Sequence, residues 1–310
     1  DLIVRFRASP QYRHWQPTTA AAADRVLTAF LRENGRNMVA ELRRGHIVAM
    51  RDELADRPSA ANHWLKIVNV LLNYAVEIEM VAANVAATVK KLTVPNPDGH
   101  RTWREDEIAA YLDHHGPGTL ARLVFVLALC TGAARCDLVR LGPGNIRGGR
   151  LVYRRQKMRG KPAPLVDIPL LPELAAEIAA LPQRPTFLQT ERGKTSRPRS
   201  EKSLGGDFTR WVAEAGLLTL DERGRIVGGM DEHGLSLSLH GLRKALARRL
   251  AEAGATPQSI MAVMGHSTIA MAAHYSAAYD RGRAADMGLE KLGSATESPV
   301  VRLERKRGDK

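Results

Sequence analysis

Histidine, arginine and tyrosine occur in one stretch, Leu239 to Tyr275, at spacings that suit work on a phosphate ester. His240 and Arg243 come first, then Gly265-His266, then Tyr275 nine residues beyond that histidine. Residues three apart on a helix share a face, so His240 and Arg243 can converge on one small anion. The planar fork of arginine matches two phosphate oxygens, and histidine adds a third donor. A phenol with a pKa of about 10 is a poor nucleophile at pH 7. Deprotonated beside a neutralised phosphate, it can attack. Singly, each residue also has a plain reading: an i,i+3 pair on a helix surface, or a tyrosine in a core.

The elements that must position these groups read mostly as helices. One runs from His240 to Gly254; Thr256-Pro257 starts the next, which stops at Gly265; a last one carries Tyr275. Upstream, Leu120 to Cys130 reads as a buried helix ending in Thr131-Gly132, and Thr102-Trp103-Arg104-Glu105 as the capping box of the helix before it. Leu151-Val152-Tyr153 and Leu165-Val166-Asp167-Ile168 are strand-like runs on either side of the basic turn Lys157-Met158-Arg159-Gly160-Lys161, which predicts a β-hairpin. A helix around Leu174 to Ala180, a basic loop from Arg192 to Lys202, a helix near Phe208 to Ala215 and a Gly-rich connection from Arg223 to Gly234 complete this part. A helical segment after Asp280 leads to a tail holding Val300-Val301-Arg302-Leu303.

The first hundred residues read differently. Residues 1 to about 17 are polar and irregular, and a helix capped by Thr18 or Thr19 ends near Gly35. A second helix covers Ile47 to Leu54. A third, from Ala60 to about Ile78, buries a stripe of Trp64, Ile67, Val68, Leu71, Ala75 and Ile78. Its opposite face carries Asn62, Lys66, Asn69 and Asn73, groups that hydrogen-bond base edges and phosphates; a simply solvated face is the competing reading. A short helix follows, and Val94-Pro95-Asn96-Pro97-Asp98-Gly99 reads as a linker.

A formal charge of +13 over 310 residues points to polyanionic partners, nucleic acid or an anionic membrane surface. Membrane is disfavoured, because the most apolar run, Leu123 to Cys130, is far below the roughly 20 residues that span a bilayer. Cys130 and Cys136 read as free thiols of a reduced cytoplasmic protein. The ten histidines are scattered and no cluster has metal-ligand spacing. The chain opens on Asp1 and shows no signal peptide, which reads as a fragment or processed form.

Together, His240-x-x-Arg243, Gly265-His266 and Tyr275 resemble the catalytic half of the tyrosine recombinases, the phage-integrase family, and the likeness runs from about Thr18 to about Asp280. The resemblance implies a mainly α fold with a small antiparallel β-sheet in the catalytic domain. It also implies a two-domain DNA clamp: a core-binding domain over 1–98, a catalytic domain over 99–293, and a tail over 294–310 that docks on a neighbouring protomer. Tyr275 would be the nucleophile that forms a 3′-phosphotyrosyl bond, Arg243 would hold non-bridging oxygens, His240 would assist proton transfer, and His266 would donate to the phosphate. Lys157 would protonate the departing 5′-oxygen, with Lys161 as competitor and Met158 where the family more often has threonine. No metal or nucleotide cofactor is implied. The implied partners are double-stranded DNA at an attachment site, three further copies of the chain in a tetramer, and a directionality factor. Localisation would be cytoplasmic, on the nucleoid of a bacterial or phage-carrying cell.

One position departs from the pattern. The family has T-G-x-R with an acidic residue three places after the arginine, and here the run is Thr131-Gly132-Ala133-Ala134-Arg135-Cys136-Asp137. Both countings put the arginine at Ala134, and Arg135, about 100° further round a helix, is expected to point elsewhere. With the other positions intact, the alanine reads as a deliberate replacement that leaves a cleavage-deficient recombinase. A one-residue shift to Arg135 is the alternative. Two other functions stay open: a non-catalytic DNA-binding protein on the same fold, and a type IB topoisomerase.

Overall fold

The computed structural model describes residues 1–94, 99–156, 163–192 and 195–269, and the single positions 282, 285, 289, 290 and 292. These belong to two compact units, Asp1–Pro97 and Asp98–Lys310. The segment around the expected linker, the expected turn with Lys157, the expected helix with Tyr275 and the tail from 293 lie outside the described residues.

The first unit is helical: α1 (Leu2–Ala8), α2 (Pro10–Arg13), α3 (Pro17–Asn34), α4 (Arg44–Asp52) and α5 (Pro58–Glu77). The expectation of an irregular start is corrected by α1 and α2. Ile3 and Phe6 drive into a core with Leu27, Ile67 and Leu71. Phe6 is fully buried, with Tyr12 and Trp15 each at 5.6 Å, edge-on. Helix α5 is the spine of the unit. One side faces that cluster, while Leu65, Val68 and Leu72 face a second one with Ile47, Ala86 and Val89. Among the described residues after α5, the expected short helix is absent. Side-chain amides hold the chain there instead: Asn62 exchanges two 2.8 Å hydrogen bonds with the backbone of Leu92, and Asn84 Nδ2 donates to Oδ1 of both Asn69 (2.5 Å) and Asn73 (2.6 Å).

The second unit contains α6 (Glu105–His114), α7 (Leu120–Thr131), α8 (Arg135–Leu138), β1 (Ile146–Arg147), β2 (Arg150–Arg154), β3 (Leu165–Pro169), α9 (Pro172–Ala179), β4 (Gln189–Arg192), β5 (Thr195–Pro198), α10 (Glu201–Glu214), β6 (Thr219–Leu220), β7 (Ile226–Gly228), α11 (Leu239–Glu252) and α12 (Pro257–Met264). Helix α7 is buried on nearly all sides, from Leu123 to Thr131 without a break, as expected of a central helix. Trp103, Tyr111, Phe125 and Phe208 pack face and edge around it. Strands β1, β2 and β3 form an antiparallel sheet in which Leu151 pairs with Ile168 and Tyr153 with Val166, all four turned inward.

Three expectations shift here. Helix α6 starts two residues later than the proposed capping box, because Trp103 turns into the core and donates from Nε1 to Ser238 O at 2.9 Å. Glu107 then caps the helix by accepting from Arg104 N at 2.9 Å. The basic loop after Arg192 contains a hairpin, β4 with β5. Helix α10 begins seven residues before Phe208, at Glu201, where Ser200 Oγ accepts from Ser203 N. Cys130 and Cys136 are free thiols, Cys130 buried and pushed up to about 12 by its burial. Among the described residues, no helix is long and apolar enough to cross a membrane.

Candidate active site

Two helix ends and one arginine organise the site. Helix α7 closes on Gly132 at φ 56° and α12 on Gly265 at φ 59°, both in the left-handed region that glycine occupies without steric cost. Arg243, one turn into α11 and only 3% exposed, reaches both ends. Its Nη1 donates to Gly132 O, and its Nη2 donates to Met264 O at 2.6 Å. Carbonyls at a helix C-terminus carry partial negative charge, so they favour a guanidinium there. These bonds fix the plane and the depth of the side chain.

His266 follows the second glycine. It is buried, and its backbone N–H donates to Met261 O at 3.0 Å. Burial first, then the charges of Arg243, Arg155 and the neighbouring His240, push its pKa down to about 4, so the imidazole is neutral at pH 7. A neutral ring can donate a hydrogen bond without adding to the positive charge around it. The same interactions place His240, Arg243 and His266 in one electrostatic neighbourhood.

Arg155 is a member of this neighbourhood that sequence reading overlooked. Its Nη1 donates to Gly265 O at 2.7 Å, and a Cβ on Gly265 would fall 2.7 Å from its Cδ. Strand alternation carries the signal: Leu151 and Tyr153 turn inward, and Arg155 is next in that series. Asp137, buried, accepts from Gln156 N through Oδ1 at 2.8 Å and so ties α8 to the end of the same strand.

His240, exposed at the second position of α11, opens on a cleft of about 340 Å³. Ala134, Arg135, Ser238 and His100 also line it. Ala134 precedes α8 with an extended backbone, φ −69° and ψ 154°, and Arg135 is the first residue of that helix. Arg135 borders the same cleft as Ala134 and lies along α10, where a Cβ on Gly205 would come within 2.5 Å of its Nη1. Gly205 leaves the space that the guanidinium uses. Lys157, its competitor Lys161 and the expected nucleophile Tyr275 lie outside the described residues. The Asn62, Lys66, Asn69 and Asn73 set belongs to the first unit. There the three amides hold the chain around Asn84 and Leu92, and Lys66 is exposed.

The phage integrase family matches residues 106–281, more than half of the chain, and the protein belongs to that family. Its fold is similar to solved integrases. Lambda integrase, residues 75–356, in a dimer bound to a COC′ core site aligns with a TM-score of 0.70 and 16% identity, covering 89% of this chain and 94% of that one. A lambda integrase tetramer bound to a Holliday junction gives 0.73 and 17%, covering 88% and 76%. The Tn1549 transposon integrase, residues 82–397, in complex with circular intermediate DNA gives 0.64 and 14%, covering 90% and 97%. Among curated proteins, none matches the sequence.

Proposed function

We propose that the chain performs site-specific DNA recombination as a tyrosine recombinase. The observation that carries this is the gathering of Arg243, His266 and His240 around the ends of α7 and α12, in a member of the phage integrase family. In the proposed step, Tyr275 Oη attacks the scissile phosphorus while its proton passes toward His240. The bond from phosphorus to the 5′-oxygen breaks, and Lys157 gives that oxygen a proton. The phosphotyrosyl ester keeps the energy of the broken bond, and attack by the 5′-hydroxyl of a partner strand reverses the step. Arg243 would hold the non-bridging oxygens and His266 would donate to one of them.

The proposed partner is double-stranded DNA, and the working assembly a tetramer on paired sites. The excess of positive charge and the solved lambda integrase complexes, a core-site dimer and a Holliday-junction tetramer, support this. On α5, direct DNA contact would fall chiefly to Lys66, because Asn62, Asn69 and Asn73 make hydrogen bonds within the unit.

The finer question is who supplies the second guanidinium. Ala134 supports a cleavage-deficient recombinase or a non-catalytic DNA binder. Arg135 in the same cleft supports an active enzyme in which it takes that place, and this is the reading we favour. The experiment is a covalent-trapping assay on a nicked duplex selected from a random pool by its binding to the chain. The chain itself should yield a protein–DNA adduct, Tyr275→Phe none, and Arg135→Ala roughly 10³-fold less, the lower end of what an arginine contributes to phosphoryl transfer. An adduct only from Ala134→Arg would restore the cleavage-deficient reading, and no adduct from either would leave the binder. Strand exchange between two sites, rather than relaxation of a supercoil, separates a recombinase from a type IB topoisomerase.

A further inference from the structure

The cleft beside His240 has a wall that the proposed chemistry leaves unused. His100 forms it, from a segment that precedes α6 by only a few residues. The ring centroids of His100 and His240 are 4.5 Å apart with the planes tilted by 45°. That is the separation of packed aromatic rings.

The segment carrying His100 is fastened to the start of α11, the helix that carries His240. Lys244 Nζ donates to His100 O at 2.8 Å, and Trp103 Nε1 donates to Ser238 O at 2.9 Å. His100 Nδ1 and Ser238 Oγ share a 3.4 Å contact, while that same hydroxyl caps the helix by accepting from Gly241 N at 3.3 Å. At Gly241 a side chain would collide with Arg101 O, so the segment lies directly on the helix backbone. The backbone of His100 is therefore held by α11, and its ring has a fixed base from which to meet His240.

Packing of this kind has a chemical use. His240 is exposed at the first turn of its helix, and ordering its side chain before DNA arrives removes part of the free-energy cost of restricting its rotamers on binding. We propose that His100 is a positioning residue: its ring packs on the His240 imidazole and holds it toward the phosphate cleft before DNA arrives. His100 also suits the place by its charge. Partial burial, then the nearby Lys244 ammonium, lowers its pKa, so it stays neutral and does not oppose a proton passing to His240. The proposal rests on the recombinase reading given above.

The test uses the full chain and its His100→Ala, His100→Asn and His100→Phe variants. Ring C–H signals of His240 are assigned by NMR, and single-turnover adduct formation is measured on the nicked duplex described above. Phenylalanine keeps a ring and should stay within about twofold of the starting rate. Asparagine keeps a polar group for Ser238 without the ring, and with alanine should fall about tenfold, at unchanged DNA affinity. The His240 signals should shift in the alanine and asparagine variants, where the ring current of residue 100 is gone. Unmoved His240 signals, or full rates in both ringless variants, overturn the positioning role. Moved signals with no adduct from the chain or from Ala134→Arg overturn the recombinase reading, and the catalytic purpose given to His100 falls with it.

Discussion

His266 sets a pH limit on the fold. Its folded pKa of about 4 lies below the ordinary 6.5, so between those values the unfolded chain binds the proton that the folded site refuses. Stability from this residue is complete above pH 6.5, declines as pH falls toward 4, and levels off below. From pH 7 to pH 5 the expected loss is about 2 kcal/mol, by the exchange of 1.36 kcal/mol per pKa unit. Urea unfolding at the two pH values measures it, with His266→Phe as control. An equal loss in both proteins would mean that other groups carry the acid sensitivity.

At the scale of elements, the site hangs on where helices stop. Gly265→Ala should cost about 3 kcal/mol, from the left-handed conformation and from a Cβ placed 2.6 Å from Val166 Cγ2 and 2.7 Å from Arg155 Cδ. Thermal unfolding reads this directly, and a loss under about 0.5 kcal/mol would show that the end of α12 can rearrange. Glycine stops of this sort were legible in the chain: Thr131-Gly132 and Gly265 each marked an end within a residue. So were the long amphipathic α5 and the pairing of β2 with β3. What stayed illegible depends on tertiary contact. Nothing local announces that Phe6 anchors a helix, that Asn84 replaces a helix by bonding Asn69 and Asn73, or that the Arg192 region pairs as strands. Nor does the local run announce that the backbone before α8 is extended, or that Gly205, seventy residues away, makes the room beside Arg135.

For the molecule as a whole, the +13 charge makes salt the governing variable of binding. DNA affinity should fall about 10³-fold between 50 and 200 mM salt, as counterions released by Lys and Arg contacts are recaptured. Lys66→Ala should lower the magnitude of the log–log slope by about one. A slope unchanged in that variant would remove α5 from the DNA interface. The segment from His100 to Trp103 also has a meaning for how such proteins can be reassorted. Although it stands at the entrance of the second unit, it is bonded to Ser238 and Lys244, deep in that unit's own sequence. A chimaera that exchanges the first unit must therefore place its junction before His100. Moved a few residues downstream, the seam would carry away a buried tryptophan and one wall of the cleft, and a fusion in frame on paper would fail as a protein.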